Sequence, residues 1–231
     1  MKKFLLAFLL SASANSYSSH EISEFGIALL PSKDCLSKLK PIYTEIDSGL
    51  SQKHSKKYLA HFPIFKIALN KDDIQHIGED LSLIAIPQNS ILVKNISVSK
   101  DVVRFDIEDK VLLARLHELS SHIFGPHKAR LLNSTADIYD KLQDDHKKKA
   151  DKYGDHEVFS HYNPSFRVFT LKNNNDKLKE IIEKNASKFP EGFRCNVSHL
   201  AIGTIDYDGN FVDITSKFAI KNLDKPKAKK K

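Results

Sequence analysis

The chain has 231 residues, 41% hydrophobic and 28% charged, with two cysteines and a formal net charge of +7. This size suits one large domain or two small ones, and the composition is that of a globular rather than a disordered chain. No apolar run reaches the roughly 20 residues a membrane-spanning helix needs. The positive charge is concentrated at the ends: the tail 221–231 (KNLDKPKAKKK) holds six lysines and one aspartate, and Lys2 and Lys3 stand at the start. The body between them is close to neutral, so broad electrostatic binding to nucleic acid has little support. The tail is expected to be a solvated, disordered end.

Residues 1–14 have the order of a secretory signal. Lys2 and Lys3 precede the apolar run FLLAFLL, and Ala12 and Ala14 occupy the small positions before a cleavage point. The expected mature chain begins near Asn15, forms one domain to about residue 220, and is exported, to a periplasm or outside the cell. Cys35 and Cys195 could pair in an oxidising compartment or remain buried thiols in a reducing one. No Cys-x-x-Cys occurs, which argues against a zinc ribbon or a thioredoxin-type site.

Glu24 to Leu30 predicts a buried strand that Pro31-Ser32 ends, with Ser32 capping a helix from about Lys33 to Leu50 that Pro41 could bend or break. Tyr58 to Leu69 reads as an apolar strand interrupted by Pro63. Lys71 to Ile86 follows as a helix. Ile91 to Val98 and Val102 to Ile107 predict a hairpin. Val111 to Phe124 is an amphipathic helix closed by Gly125-Pro126. The charged stretch 133–154 reads as a polar connector with helical content. His161 to Leu171 returns to strand character, Asn175 to Lys188 to helix. Phe193 to Ile205 and Phe211 to Ile220 are strands joined by a turn around Asp208-Gly209.

Residues 61–77 (HFPIFKIALNKDDIQHI) align without gaps with residues 165–181 (SFRVFTLKNNNDKLKEI). Phe62/Phe166, Phe65/Phe169, Asn70/Asn174, Asp72/Asp176 and Ile77/Ile181 are identical. Each copy reads strand, helix, two strands. The repeat predicts a pseudo-twofold domain with the two first strands about one cleft.

Three strings carry a resemblance to a known family: FGIALLPS at the first strand, AHFPIF at the second, and YNPSFRVF at the strand that opens the second copy. Together with the element order they resemble the two-histidine phosphoesterases, the 2′-5′ RNA ligase-like and cyclic phosphodiesterase-like proteins. The resemblance runs from Phe25 to about Ile220. It implies an α+β fold of two pseudo-symmetric lobes, with antiparallel sheets around a central cleft and helices outside. It also implies metal-free hydrolysis without a cofactor. One His-x-Thr/Ser motif per lobe supplies a histidine as general base or acid, and the hydroxyls hold phosphate oxygens. Such a pair suits phosphodiester hydrolysis because imidazole titrates near neutral pH.

Three of the four motif positions depart from that pattern. His61 is present, but Pro63 stands at its hydroxyl position. In the second motif Ser165 replaces the histidine and Arg167 the hydroxyl. His61 remains the candidate catalytic residue, with Ser165 and Arg167 as candidate phosphate ligands, since a guanidinium fork suits phosphate. His199, in VSHLAIG, is an alternative second histidine whose simpler reading is a residue on one face of a strand. His117, His122 and His127 are spaced by five, which does not align ligands on one helix face, and read as surface histidines. Asp144-Asp145-His146-Lys147 reads as a solvated charge run. Asp206, Asp208 and Asn210 read as a β-turn, since the glutamate of a calcium loop is missing. The expected function is a catalytically impaired domain, a pseudoenzyme, that binds a phosphate-containing small molecule or nucleotide. Two readings stay open beside it: an active phosphodiesterase that pairs His61 with His161 or His199, and an exported protein-interaction domain. Oligomeric state is not legible.

Overall fold

The structure, a computed structural model, describes residues 21–50, 59–84, 86, 89–99, 102–170, 175–184 and 192–220. The secretory segment and the lysine tail expected from the sequence lie outside the described residues. Among the described residues, seven strands and six α-helices follow in the order β1 (Ile22–Pro31), α1 (Lys33–Leu50), β2 (Phe62–Asn70), α2 (Asp73–Ser82), β3 (Ser90–Ser99), β4 (Val102–Ile107), α3 (Val111–Phe124), α4 (Asn133–Ala136), α5 (Asp144–Tyr153), β5 (Ser165–Thr170), α6 (Asn175–Lys184), β6 (Gly192–Ile205) and β7 (Phe211–Ala219).

Among the described residues all strand pairs are antiparallel, and the sheet runs β2-β1-β6-β3-β4-β5 with β7 added to β6. The long strand β6 belongs to both lobes. Residues 192–196 pair with β3, and residues 197–205 pair with β1 and β7. The two expected sheets are therefore halves of one sheet that divides along β6. At its far ends the sheet meets itself: His61 and Arg167 form an antiparallel bridge, each backbone N–H donating to the other's carbonyl at 2.9 Å.

That bridge bears out the internal repeat. Its register sets the equivalent residues Phe62 and Phe166 face to face across a local two-fold, and their rings stack at 4.3 Å and 13°. The same register places Pro63 opposite Ser165. The strands holding His61 and Ser165 thus lie side by side.

Alternation assigns the faces. Phe25, Ile27, Leu29, Phe62, Phe105, Phe166, Leu200 and Ile202 belong to one continuous core. Helices α1, α2 and α6 contact β6, β2 and β3 respectively and cover that core. Helix α1 runs unbroken through Pro41, because Leu39, Ile42 and Ile46 bury one stripe on both sides of it. Ser32 starts it as expected: its Oγ accepts from Cys35 N–H at 3.3 Å, and its carbonyl accepts from Leu36. Cys35 in the first turn of α1 and Cys195 in β6 are joined as a disulfide, closing a sequence separation of 160. The opposite face of the sheet carries a small apolar cluster around Ala28, Ala201 and Phe211, and beside it the charged groove described next.

Candidate anion-binding groove

Pro63 does not interrupt β2. The register against β1 slips there, with Ala28 opposite Pro63 and Ile27 opposite Phe65, so Ile64 is an extra residue and the strand passes the proline as a bulge. The carbonyls this frees find side-chain donors. Tyr162 Oη donates to the Pro63 carbonyl at 2.6 Å, and His117 Nδ1 donates to the Ile64 carbonyl at 2.6 Å. His117 Nε2 in turn accepts from Phe159 N–H at 2.9 Å, and its ring stacks on Tyr162 at 4.0 Å. His117 is therefore a buried tether holding the segment 155–163 against β2, which corrects its reading as a surface histidine; His122 and His127 are exposed as expected. The five-residue spacing concealed this because His117 is bonded to a strand distant in sequence rather than to its helical neighbours. Tyr162→Phe is expected to leave the Pro63 carbonyl unsatisfied and to cost about 1–2 kcal/mol, measured by urea unfolding.

The groove lies on the face away from α1, α2 and α6, beside α3 and under the segment 133–163, which carries α4 and α5, and the β6–β7 hairpin loop. Two adjoining cavities form it, of about 430 and 190 Å3, and Lys66, Arg104, Glu157 and Arg167 line both. Arg104 and Arg167 are directly opposite each other in the β4–β5 register, on one face of the sheet. Like charges placed directly opposite are destabilising in a sheet. Among the described residues, Arg104 Nε is buried without a hydrogen-bond partner.

Arg167 is held from the far side. Its Nη1 donates to the Asp208 carbonyl at 2.8 Å and to Asn210 Oδ1 at 3.4 Å. The loop is fixed by Asp206, whose carboxylate accepts from the N–H groups of Asp208 and Asn210 and from Asn210 Nδ2. Asp206, Asp208 and Asn210 thus form the expected turn. Gly209 adopts φ +78°, and a Cβ there would meet Lys66 Cδ at 2.9 Å, so glycine lets the loop close over the groove. Burial lowers the Arg167 pKa without removing its charge.

Lys66 ion-pairs with Asp155 and Glu157, each at 3.2 Å. Burial opposes its charge, but the two carboxylates hold its pKa above the ordinary value, and Lys66 in turn holds that of Glu157 down.

The four positions taken from the sequence fare differently. Ser165, which is buried, and Arg167 line the smaller cavity together with Pro63. His61 does not line either cavity. Its ring is 1% exposed and sits 4.9 Å from that of Phe211, with Nδ1 donating to the Leu59 carbonyl at 2.7 Å. Its Nε2 is buried without a partner among the described residues. Desolvation by burial, then the nearby Arg167 charge, push its pKa down to about 3. His199 pairs across β6 with Leu30 and Ala219 and bonds Ser198 Oγ at 2.8 Å, a residue on the face of a strand. It lines neither cavity. His161 does line the smaller cavity, bonded to Asp145 at 3.2 Å.

Lys66, Arg104, Asp155 and Glu157 are the residues that reading the sequence missed. A trace of two of them is present there: Lys66 is the one charge in the apolar run PIFKIAL, and Arg104 is the one cation in VVRFDI.

Fold and groove define a two-lobed antiparallel α+β domain with a cation-lined cleft at its pseudo-twofold. No family model matches the chain, and no curated protein matches it in sequence. Among solved structures it is similar to E. coli LigT complexed with NADP+, at 8% identity and a TM-score of 0.44 over 87% of this chain and 99% of that one. It is similar also to TT0787 of Thermus thermophilus, at 10% identity and a TM-score of 0.45 over 87% and 99%. A third is ATU0111 of Agrobacterium tumefaciens, a conserved protein of unknown function, at 12% identity and a TM-score of 0.41 over 88% and 86%.

Proposed function

We propose that this chain is an exported, two-histidine-phosphoesterase-like domain that binds a phosphate-containing ligand and has lost the hydrolytic acid–base pair. The observation that carries the reading is the Arg104–Arg167 pair: two arginines directly opposite each other across β4 and β5, lining one cleft with Lys66. A bound anion would relieve their mutual repulsion and supply the acceptor that Arg104 Nε lacks among the described residues. Ser165 adds a hydroxyl donor in the same cavity.

Loss of hydrolysis rests on His61. A general acid or base works best with a pKa near the operating pH and within reach of the reacting atoms. His61 is buried against Phe211 with its pKa pushed down to about 3, and a serine stands where its partner histidine would be. No observation favours pairing it with His199 or His161, and the open, charged groove does not favour a domain kept only for protein contacts. The Cys35–Cys195 disulfide supports export, since such bonds persist in oxidising compartments.

Titration of a 2′,3′-cyclic nucleotide against wild type and Arg167→Ala, with turnover followed in parallel, tests this. The variant is expected to bind on the order of ten- to a hundredfold more weakly, the worth of a charge-assisted contact. Turnover by wild type is expected to be absent, since acid–base groups contribute about 10²–10⁴-fold each. Equal affinity in both proteins removes Arg167 from the site; brisk turnover returns the domain to the hydrolases.

A further inference from the structure

At the edge of the groove lies a group of histidines outside the set of arginines and lysine described above. Helix α5 presents His146 to His161 and His156, with ring centroids 3.8 and 5.9 Å away. The charged groups around these rings come from α5 and from the segment that follows it. Asp145 bonds His161 Nε2 at 3.2 Å and Lys149 at 2.7 Å. Asp155 lies 3.6 Å from His156 Nδ1. Burial, and then the approach of His161, His156 and Lys149, make His146 harder to protonate than an exposed imidazole.

The cluster is wired to the groove through Asp155. One oxygen of that carboxylate faces His156, and the other pairs with Lys66 at 3.2 Å. His156 and Glu157 are themselves walls of the larger cavity, and His161 is a wall of the smaller one. Asp155 is thus shared between Lys66 of the groove and the imidazole of His156. When the imidazole is neutral, Asp155 and Glu157 together neutralise Lys66. When it is protonated, Asp155 gains a second cation and Lys66 is left with more free charge, while the histidines add positive charge to the groove wall.

We propose that the His146–His156–His161 cluster couples proton uptake to anion binding, so that the groove binds phosphate-class ligands more tightly as pH falls below neutral. The inference rests on the groove being an anion site. Linkage makes the coupling reciprocal: a bound anion favours protonation of the cluster by the same factor that protonation favours the anion. Since one pKa unit corresponds to a tenfold change in equilibrium, a coupling of that size gives about tenfold in affinity at most per proton. Three adjacent imidazoles cannot all charge independently, so the gain is spread over a broad pH range rather than a single step.

Sulfate is the suitable probe, because its own charge is constant across this range whereas that of phosphate is not. Its affinity for the purified protein is measured at pH 7.5, 6.5 and 5.5, with near-UV circular dichroism confirming the fold at each pH. Wild type is expected to bind about five- to tenfold more tightly at pH 5.5 than at 7.5. The triple variant His146→Gln, His156→Gln, His161→Gln is expected to show a change below about twofold, whatever its absolute affinity. A flat profile in wild type with sulfate still bound, or an unchanged slope in the triple variant, overturns the coupling alone. Sulfate that fails to bind at any pH, or that binds Arg167→Ala as tightly as wild type, overturns the groove reading itself and the coupling with it.

Discussion

Replacing Cys35 and Cys195 together by alanine is expected to lower stability by about 3–5 kcal/mol, the largest effect of any substitution considered for this protein. The bond joins the first turn of α1 to β6 across a sequence separation of 160. In the chain-entropy account a loop of this length restricts the unfolded ensemble by somewhat more than the roughly 4.7 kcal/mol given for 100 residues, and residual unfolded structure reduces the realised value. Both cysteines are buried in the core, so truncation also removes packing atoms. For a domain of this size the loss corresponds to a fall in Tm of roughly 6–20 °C. Thermal and urea unfolding of the double variant, beside wild type with and without dithiothreitol, checks it. Reduction should bring wild type close to the variant and leave the variant unmoved. A difference under about 1 kcal/mol would mean that the bond adds little to a framework already held by packing.

The second large effect is sensitivity to acid. His61 has its pKa pushed down to about 3 by burial, whereas in the unfolded chain it titrates near 6.5. Below pH 6.5 the unfolded chain therefore binds a proton that the folded chain refuses. The stability associated with neutral His61 is fully present above pH 6.5 and falls as pH drops, by about 1.4 kcal/mol per pH unit, or roughly 3 kcal/mol between pH 6.5 and 4. His61→Leu is expected to remove most of that slope. At pH 7.5 the same variant should cost only about 1 kcal/mol, the worth of the lost bond to the Leu59 carbonyl. His117, also held below its usual range by burial, works in the same direction and leaves a residual slope. Urea unfolding at pH 7.5, 6.0, 5.0 and 4.5 gives both slopes. If wild type and His61→Leu lose stability in parallel, His61 is protonated in the fold after all, and the ground for excluding it from catalysis falls.

Much of the architecture is legible in the sequence because it is written in local patterns. The apolar run of Glu24–Leu30, the Ser32 cap, the 102–107 strand, the Val111–Phe124 helix and the Asp208-Gly209 turn each lie within a span that periodicity or turn chemistry resolves. The gapless repeat goes further. It matches Phe62 with Phe166, and a two-fold brings equivalent residues together wherever its strands meet. The same repeat brings Ser165 and Arg167 to the cleft.

What only the tertiary structure decided are the relations between residues far apart in the chain. Alternation says that His61, Lys66, Arg104 and Arg167 each stand on or beside a strand, but burial of the first and the facing of the others into a groove depend on where Phe211 and the Asp206–Asn210 loop come to rest. The repulsive pairing of Arg104 with Arg167 needs the β4–β5 register, which joins residues on either side of the 111–163 segment. His117 became a tether because the bulge at Pro63 freed a carbonyl for it. The sequence by itself determined the strands, the helices α1, α2, α3 and α6, their order and the two-fold, since these follow from short-range sterics and hydrophobic period. Which charges share the groove, and which histidine is shut out of it, was decided by long-range packing, because desolvation and Coulomb energy depend on distances that no local pattern encodes.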